Sequence, residues 1–162
     1  NILGEIGMGL ELAQQAISHW EGQAGAICLG IAARSQELAL KFSQGRVTFG
    51  QPIAHRQAIQ FMLSDNAIDI QAARTLVLNY AVKMDSGEDA GEACSMAKVF
   101  ASEMVGRVVD RAIQIHGSMG LSCELPLERF HREARGLRIG AMTTEIHRML
   151  LARELLGEEL SL

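Results

Sequence analysis

The sequence predicts an all-α fold, an up-down-up-down four-helix bundle that takes in residues 1–162 as one domain. Three observations lead there. Hydrophobic residues make up 48 % of the chain and aromatic residues only 4 %, so the core must be built from Ala, Leu, Ile, Val and eight Met, a helix-forming set. Pro52 and Pro126 are the two prolines, which leaves long windows unbroken. Apolar residues recur at helical spacing in three of those windows, and no strand alternation, low-complexity run or solenoid-period repeat accompanies them.

The first helix is expected from about Gly7 to Gln44, with Ile17, Trp20, Ala24, Ile27, Ile31, Leu38 and Phe42 on one face. Gly22, Gly25 and Gly30 form helix poorly. They point to close helix packing, the commoner cause, or to backbone that approaches a ligand. A loop ending at Pro52 stops this helix. The second, from about Pro52 to Ser86, carries Ile59, Leu63, Ile70, Ala73, Val77, Tyr80 and Met84. Asn66 interrupts that stripe and needs a hydrogen-bond partner if buried. The acidic turn Ser86–Asp89 leads into a third helix, about Asp89 to His116, with Ala97, Phe100, Met104, Val108, Ala112 and Ile115 on one face. Pro126 opens a short helix over about Leu127 to Ala134. A last helix is expected from about Thr143 to Leu160, capped by Thr143 or the residue before it. Helices this long, apolar on more than one face, predict an oligomer.

A net charge of −4 gives no electrostatic basis for nucleic acid or an anionic membrane as partner. No run of apolar residues is long enough to span a bilayer. Cys28, Cys94 and Cys123 are odd in number, widely spaced and without a Cys-x-x-Cys pair. They read as reduced thiols of a cytoplasmic or, in a eukaryote, mitochondrial-matrix protein, rather than as a disulfide framework or a metal site. The chain opens at Asn1 without a leader, and is expected to be a piece of a longer polypeptide.

Three stretches carry chemistry. Arg46 follows a helix end in a loop with Gly45 and Gly50, where backbone donors and a guanidinium suit a phosphate; most loop arginines are simply solvated. Phe49 beside it is a large apolar residue in a short loop and needs a surface to cover it. Gln114-Ile115-His116-Gly117-Ser118-Met119-Gly120 closes the third helix, either as a plain glycine C-cap and turn or as backbone left open to a ligand. Met142-Thr143-Thr144-Glu145-Ile146-His147-Arg148 opens the last helix, an ordinary N-cap or an anion site.

In order and spacing, the three together resemble the C-terminal domain of the acyl-CoA dehydrogenase family, FAD-dependent enzymes of fatty-acid and amino-acid breakdown. The resemblance runs from Asn1-Ile2-Leu3-Gly4-Glu5 through Leu29-Gly30-Ile31-Ala32, Arg46-x-x-Phe49-Gly50-x-Pro52-Ile53 and Gln57-Ala58-Ile59-Gln60. It continues through Met96-Ala97-Lys98, Gln114-Ile115-His116-Gly117, Pro126-Leu127-Glu128-Arg129 and Thr144-Glu145-Ile146. It implies a dimer or tetramer in which one subunit's bundle contributes to the FAD held by its neighbour. Arg46 matches the arginine at the FAD pyrophosphate, Phe49 the phenylalanine packed at the cofactor, and Gln57 another lining residue. Gln114, Gly117 and Ser118 match the loop gripping the pyrophosphate and adenosine end, with Ser118 in place of a usual Gly. Thr143 and Glu145 match FAD contacts at the last helix. The resemblance also implies an acyl-CoA substrate and an electron-transfer flavoprotein as electron acceptor.

The departures bear on catalysis. The glutamate that serves the family as general base falls on Ala141, and the first-helix position used by some members falls on Trp20. Neither accepts a proton. Glu21, where the family usually has Arg, is the remaining catalytic candidate, although a neighbour on a helix points about 100° away. Met142 stands where the family has Gly and would crowd the thioester end of the cleft. The resemblance therefore implies an FAD-dependent α,β-dehydrogenase of acyl-CoA thioesters. The alternative is a member lacking its base, acting as a non-catalytic partner subunit or with altered flavin chemistry. A cofactor-free assembly module would not need the Arg46 to Phe49 loop.

Overall fold

The computed structural model describes residues 2–157, so the expected helix end at Leu160 lies outside the described residues. Five α-helices form an all-α bundle: α1 (Gly9–Gly45), α2 (Gln57–Ser86), α3 (Gly91–His116), α4 (Leu127–Leu137) and α5 (Thr144–Leu156). Helix α3 is the axis, packing against α1, α2, α4 and α5. Its Ala97, Ala101, Met104, Val105, Val108, Val109 and Ala112 are all buried, as the expected apolar stripe requires.

The contact between α1 and α2 depends on missing side chains. A Cβ on Gly22 would lie 2.0 Å from Cε1 of Tyr80, and one on Gly25 would lie 2.9 Å from Cγ2 of Val77. These two glycines serve helix packing, whereas Gly30 faces open space. Close approach also rotates the buried face of α1. Ala24, Cys28, Ile31, Ala32 and Ala39 face the core together with Glu21, Ser35 and Ser43. Ile17, Trp20 and Ile27, expected on the core stripe, are 39 %, 38 % and 48 % exposed. Small residues win the core face because they bring the helix axes nearer, and the larger apolar side chains line a second face.

Asn66 on α2 is fully buried and paired. Its Nδ2 donates to Oε1 of Gln36 on α1 at 3.0 Å, and its Oδ1 accepts from Nη1 of Arg111 on α3 at 3.2 Å. Arg111 and Arg107 also hold Asp69 on α2, at 2.8 and 2.9 Å.

Two boundaries differ from expectation. Residues 46–52 are not plain loop: β1 (Val47–Thr48) and β2 (Gln51–Pro52) form a two-residue antiparallel ladder, pairing Val47 with Pro52 and Thr48 with Gln51. Such short strands leave no alternation to read in sequence. A single 3-10 turn at Ile53–His55 then delays α2 to Gln57.

Candidate functional site

The candidate residues gather at two places along α1. The first is its C-terminal end. Arg46 leaves the helix with its N–H on the Phe42 carbonyl at 2.8 Å, and its own carbonyl accepts from Ile53 N at 2.9 Å, closing the hairpin. At the tip, Phe49 and Gly50 have φ of +50° and +80°. A two-residue hairpin with both central residues in this region is the preferred β-turn for twisted strands, normally built from Asn-Gly or Gly-Gly. A phenylalanine there is disfavoured. Its ring is nevertheless 98 % exposed, and the Arg56 guanidinium lies 5.8 Å from the ring centre.

The end of α3 meets the C-terminal end of α1, where this hairpin begins. His116 stacks on Phe42 with ring centres 4.4 Å apart, and its Nδ1 donates to the Ala112 carbonyl at 2.8 Å. Gly117 then takes φ +61°, ψ −137°, and residues 117–121 form a 3-10 turn. Gly120 packs so close that a Cβ would stand 2.8 Å from the Ile113 carbonyl oxygen. The result is a groove of about 400 Å³ lined by Leu38, Lys41, Phe42, Arg46, His116 and Met119, among others. Arg46 and the Gln114–Gly120 turn thus share one end of the bundle. Gln114, Gly117 and Ser118 are exposed there, and Gln57 is exposed at the first position of α2.

The second place is about 37 Å back along α1, counting 1.5 Å per residue from Arg46 to Glu21. Here the turn between α4 and α5 meets the buried side of α1. Ala141 is exposed with φ +57°, a left-handed conformation that alanine disfavours. Thr143 caps α5, its Oγ1 accepting from Ile146 N at 3.4 Å. Glu145 lies exposed in the first turn. Its own backbone N–H and then the Thr143 hydroxyl hold its carboxyl below the usual range. The Trp20 indole covers Gly140, where a Cβ would lie 3.0 Å from Cη2.

Glu21 does not lie open beside these residues. It is 2 % exposed, and its Oε1 accepts from Met142 N at 3.2 Å and from His147 Nε2 at 3.0 Å. His147 Nδ1 meets Ser95 Oγ at 3.0 Å. The Lys98 ammonium donates to the Met142 carbonyl. Burial pushes the Lys98 ammonium down, with the nearby Glu21 carboxylate opposing that shift. Lys98 and His147, each 1 % exposed, are the residues that sequence reasoning passed over. The available signal was spacing: Lys98 stands on the buried face of α3, one turn from Cys94 and from Ala101.

A family model described as acyl-CoA dehydrogenase, C-terminal domain, matches residues 7–156. The chain belongs to the acyl-CoA dehydrogenase family. It is 40 % identical over 156 residues to a 3-(aryl)acrylate reductase of Clostridium sporogenes, covering 96 % of this chain and 41 % of that protein. It is 38 % identical to the mitochondrial short-chain specific acyl-CoA dehydrogenase of Rattus norvegicus, covering 96 % of this chain and 38 % of the relative. Among solved structures, the butyryl-CoA dehydrogenase of Megasphaera elsdenii superposes with a TM-score of 0.91 at 36 % identity, covering 96 % of this chain and 41 % of that one. The chain thus spans about two fifths of the length of the relatives it matches.

FAD is the cofactor the family implies, and the hairpin end has donors that suit it. Arg46 and Lys41 put two cations at one groove beside the apolar Phe42, Leu38 and Met119, a set that suits a pyrophosphate joined to flat rings. Gly117 and Ser118, both exposed, lie in sequence between the groove's lining residues His116 and Met119. Among the described residues no helix is long and apolar enough to cross a membrane, and no group of His, Cys, Asp and Glu is arranged to hold a metal ion.

Proposed function

We propose that the polypeptide containing this chain is an FAD-dependent oxidoreductase acting on the Cα–Cβ bond of an acyl-CoA thioester. The domain described here completes the FAD site across a homodimer or homotetramer interface. One observation carries the proposal: the hairpin holds Phe49 out, almost wholly exposed, in a backbone conformation that phenylalanine disfavours. A ring held at such a cost has a surface to meet.

FAD, when bound, supplies a two-electron acceptor beside the acyl group. Arg46 would pair with its pyrophosphate, Phe49 would cover one of its rings, and Gln57, Gln114, Gly117 and Ser118 would border it. Thr143 and Glu145 lie some 37 Å from Arg46 along α1, further than one dinucleotide reaches. They would therefore serve a different FAD molecule from the one Arg46 serves, which is the reason for placing the site between subunits. Electrons would pass to an electron-transfer flavoprotein, and the cytoplasm or mitochondrial matrix is the expected compartment.

A second reading is favoured by the turn at 140–143. Ala141 and Trp20, the two positions matched to a general base, carry no titratable group. The protein would then be a partner subunit in a hetero-oligomer whose other chain supplies the base, or a flavoprotein with altered chemistry. One similar protein is named a reductase and another a dehydrogenase, so both directions across a Cα–Cβ bond enter the test. The full-length polypeptide is purified and scanned for a flavin spectrum, then given acyl-CoA thioesters and, after chemical reduction, their enoyl counterparts, without oxygen. Bleaching by a thioester supports the dehydrogenase. Bound flavin that neither class oxidises or reduces supports the second reading. Arg46→Ala is expected to lower flavin retention, and unchanged retention would remove Arg46 from the site.

A further inference from the structure

We propose that Glu21 and Lys98 are positioning residues that grip the Met142 backbone from both sides and thereby fix the 140–143 turn. As a statement about the reacting cleft, this rests on the function proposed above. The N–H of Met142 is held by a buried carboxylate at 3.2 Å, and its carbonyl by the buried Lys98 ammonium. A main-chain residue whose N–H is bound by a buried carboxylate and whose carbonyl is bound by a buried ammonium is restrained at both of the peptide units that flank its Cα.

The restraint sits where it is needed. Ala141, immediately before, has φ +57°, a conformation that persists only when its surroundings impose it. Thr143, immediately after, caps α5, and Thr144 N donates to the Arg138 carbonyl at 3.2 Å. Met142 is thus pinned between a strained residue and a helix start.

Glu21 is itself held from behind. His147 donates through Nε2 to the same Oε1, which leaves Nδ1 for the Ser95 hydroxyl at 3.0 Å. That hydroxyl can donate or accept, so it satisfies the ring in either charge state. Ser95, Lys98, Glu21 and His147 come from α3, α1 and α5, and each is at most 5 % exposed. The network joins three helices to one turn. The Oε1 of Glu21 is occupied by two protein donors, Met142 N and His147 Nε2, which is the geometry of an anchor for the turn.

The test uses the full-length polypeptide. Hydrogen exchange is followed in the segment containing Met142, and flavin bleaching by acyl-CoA thioesters is followed alongside it. Glu21→Ala and Lys98→Met are expected to speed exchange of the segment about tenfold or more, through loss of a charge-assisted bond. Glu21→Gln keeps an oxygen acceptor for Met142 N, and is expected to stay within about threefold of the parent in exchange and about tenfold in bleaching rate. Unchanged exchange in Lys98→Met and Glu21→Ala would overturn the proposal. So would a Glu21→Gln protein with normal exchange and no bleaching, the signature of a proton acceptor. If Glu21→Ala fails to fold, Lys98→Met and Glu21→Gln still decide. If the parent protein holds no flavin, the proposed function fails while the exchange measurement stands by itself.

Discussion

Replacing Phe49 by Asn separates what the hairpin costs the fold from what it contributes to binding. Phe49 sits at φ +50° in the first central position of a two-residue turn, where Asn is among the preferred residues. A left-handed conformation costs an ordinary residue about 1–2 kcal/mol, and Asn much less because its short amide bonds locally. The ring is 98 % exposed, so truncation forfeits almost no burial. Its contact with the Arg56 guanidinium, 5.8 Å from the ring centre, contributes about 0.5 kcal/mol at an exposed site. The balance is a stabilisation of about 0.5–1 kcal/mol for Phe49→Asn in the chain without cofactor. Urea unfolding followed by circular dichroism, with Trp20 fluorescence as a second probe, measures it. Flavin retention by the full-length variant should fall about tenfold or more, as for loss of an aromatic anchor. A destabilised variant would refute the strain argument. A stabilised variant that retains flavin normally would refute the role given to the ring.

Gly22→Ala places a methyl 2.0 Å from Tyr80 Cε1. Overpacking of about 1–3 kcal/mol, less about 1 kcal/mol of helix propensity gained, predicts a lower midpoint in the same urea titration. An unchanged midpoint would mean that Tyr80 swings clear. Burial tends to raise the Asp69 carboxyl, but hydrogen bonds from Arg107 and Arg111 outweigh it and hold the group below its ordinary value. Stability from this group is present above its unfolded value and lost as pH falls through the depressed folded one. Asp69→Asn should therefore flatten the acid limb of stability against pH, and an identical limb would exclude the contribution. Burial pushes the thiols of Cys28 and Cys94 up to about 12 and about 11. Iodoacetamide at pH 8 should label the folded chain only at exposed Cys123, read as one adduct by mass spectrometry; a second adduct would contradict their inertness.

Much of the helical layout was legible because the core of α3 repeats at helical spacing without a break. The face of α1 was legible only in part. Ala24 and Ile31 stand on the expected stripe and are buried, but the bulkier Ile17, Trp20 and Ile27 yield the core to Cys28, Ala32 and Ala39 because two glycines let α2 approach. The hairpin escaped because two-residue strands carry no period. Arg46, Phe49 and the Gln114–Gly120 turn could be named from sequence as a cation, an apolar loop residue and open backbone. That Arg46, His116 and Met119 line one groove depends on a 37-residue helix returning through α2 and α3, which spacing alone does not display. Glu21 could be named from sequence, but its partners lie at positions 142 and 147, with Ser95 behind His147, and no local pattern links residues so far apart.

Asn66 has a consequence for which bundles this chain can form. Helices rich in Ala slide past one another at little cost, since every turn offers a similar smooth surface. The amide of Asn66 touches Gln36 on α1 and Arg111 on α3 at once, so it works as an indexing pin through three helices. A slip of one turn, 5.4 Å, would strand that buried amide at a cost of about 1–3 kcal/mol. The pin selects one alignment from several that hydrophobic packing would leave nearly equal, and the groove at one end and the clamped turn at the other inherit their spacing from it.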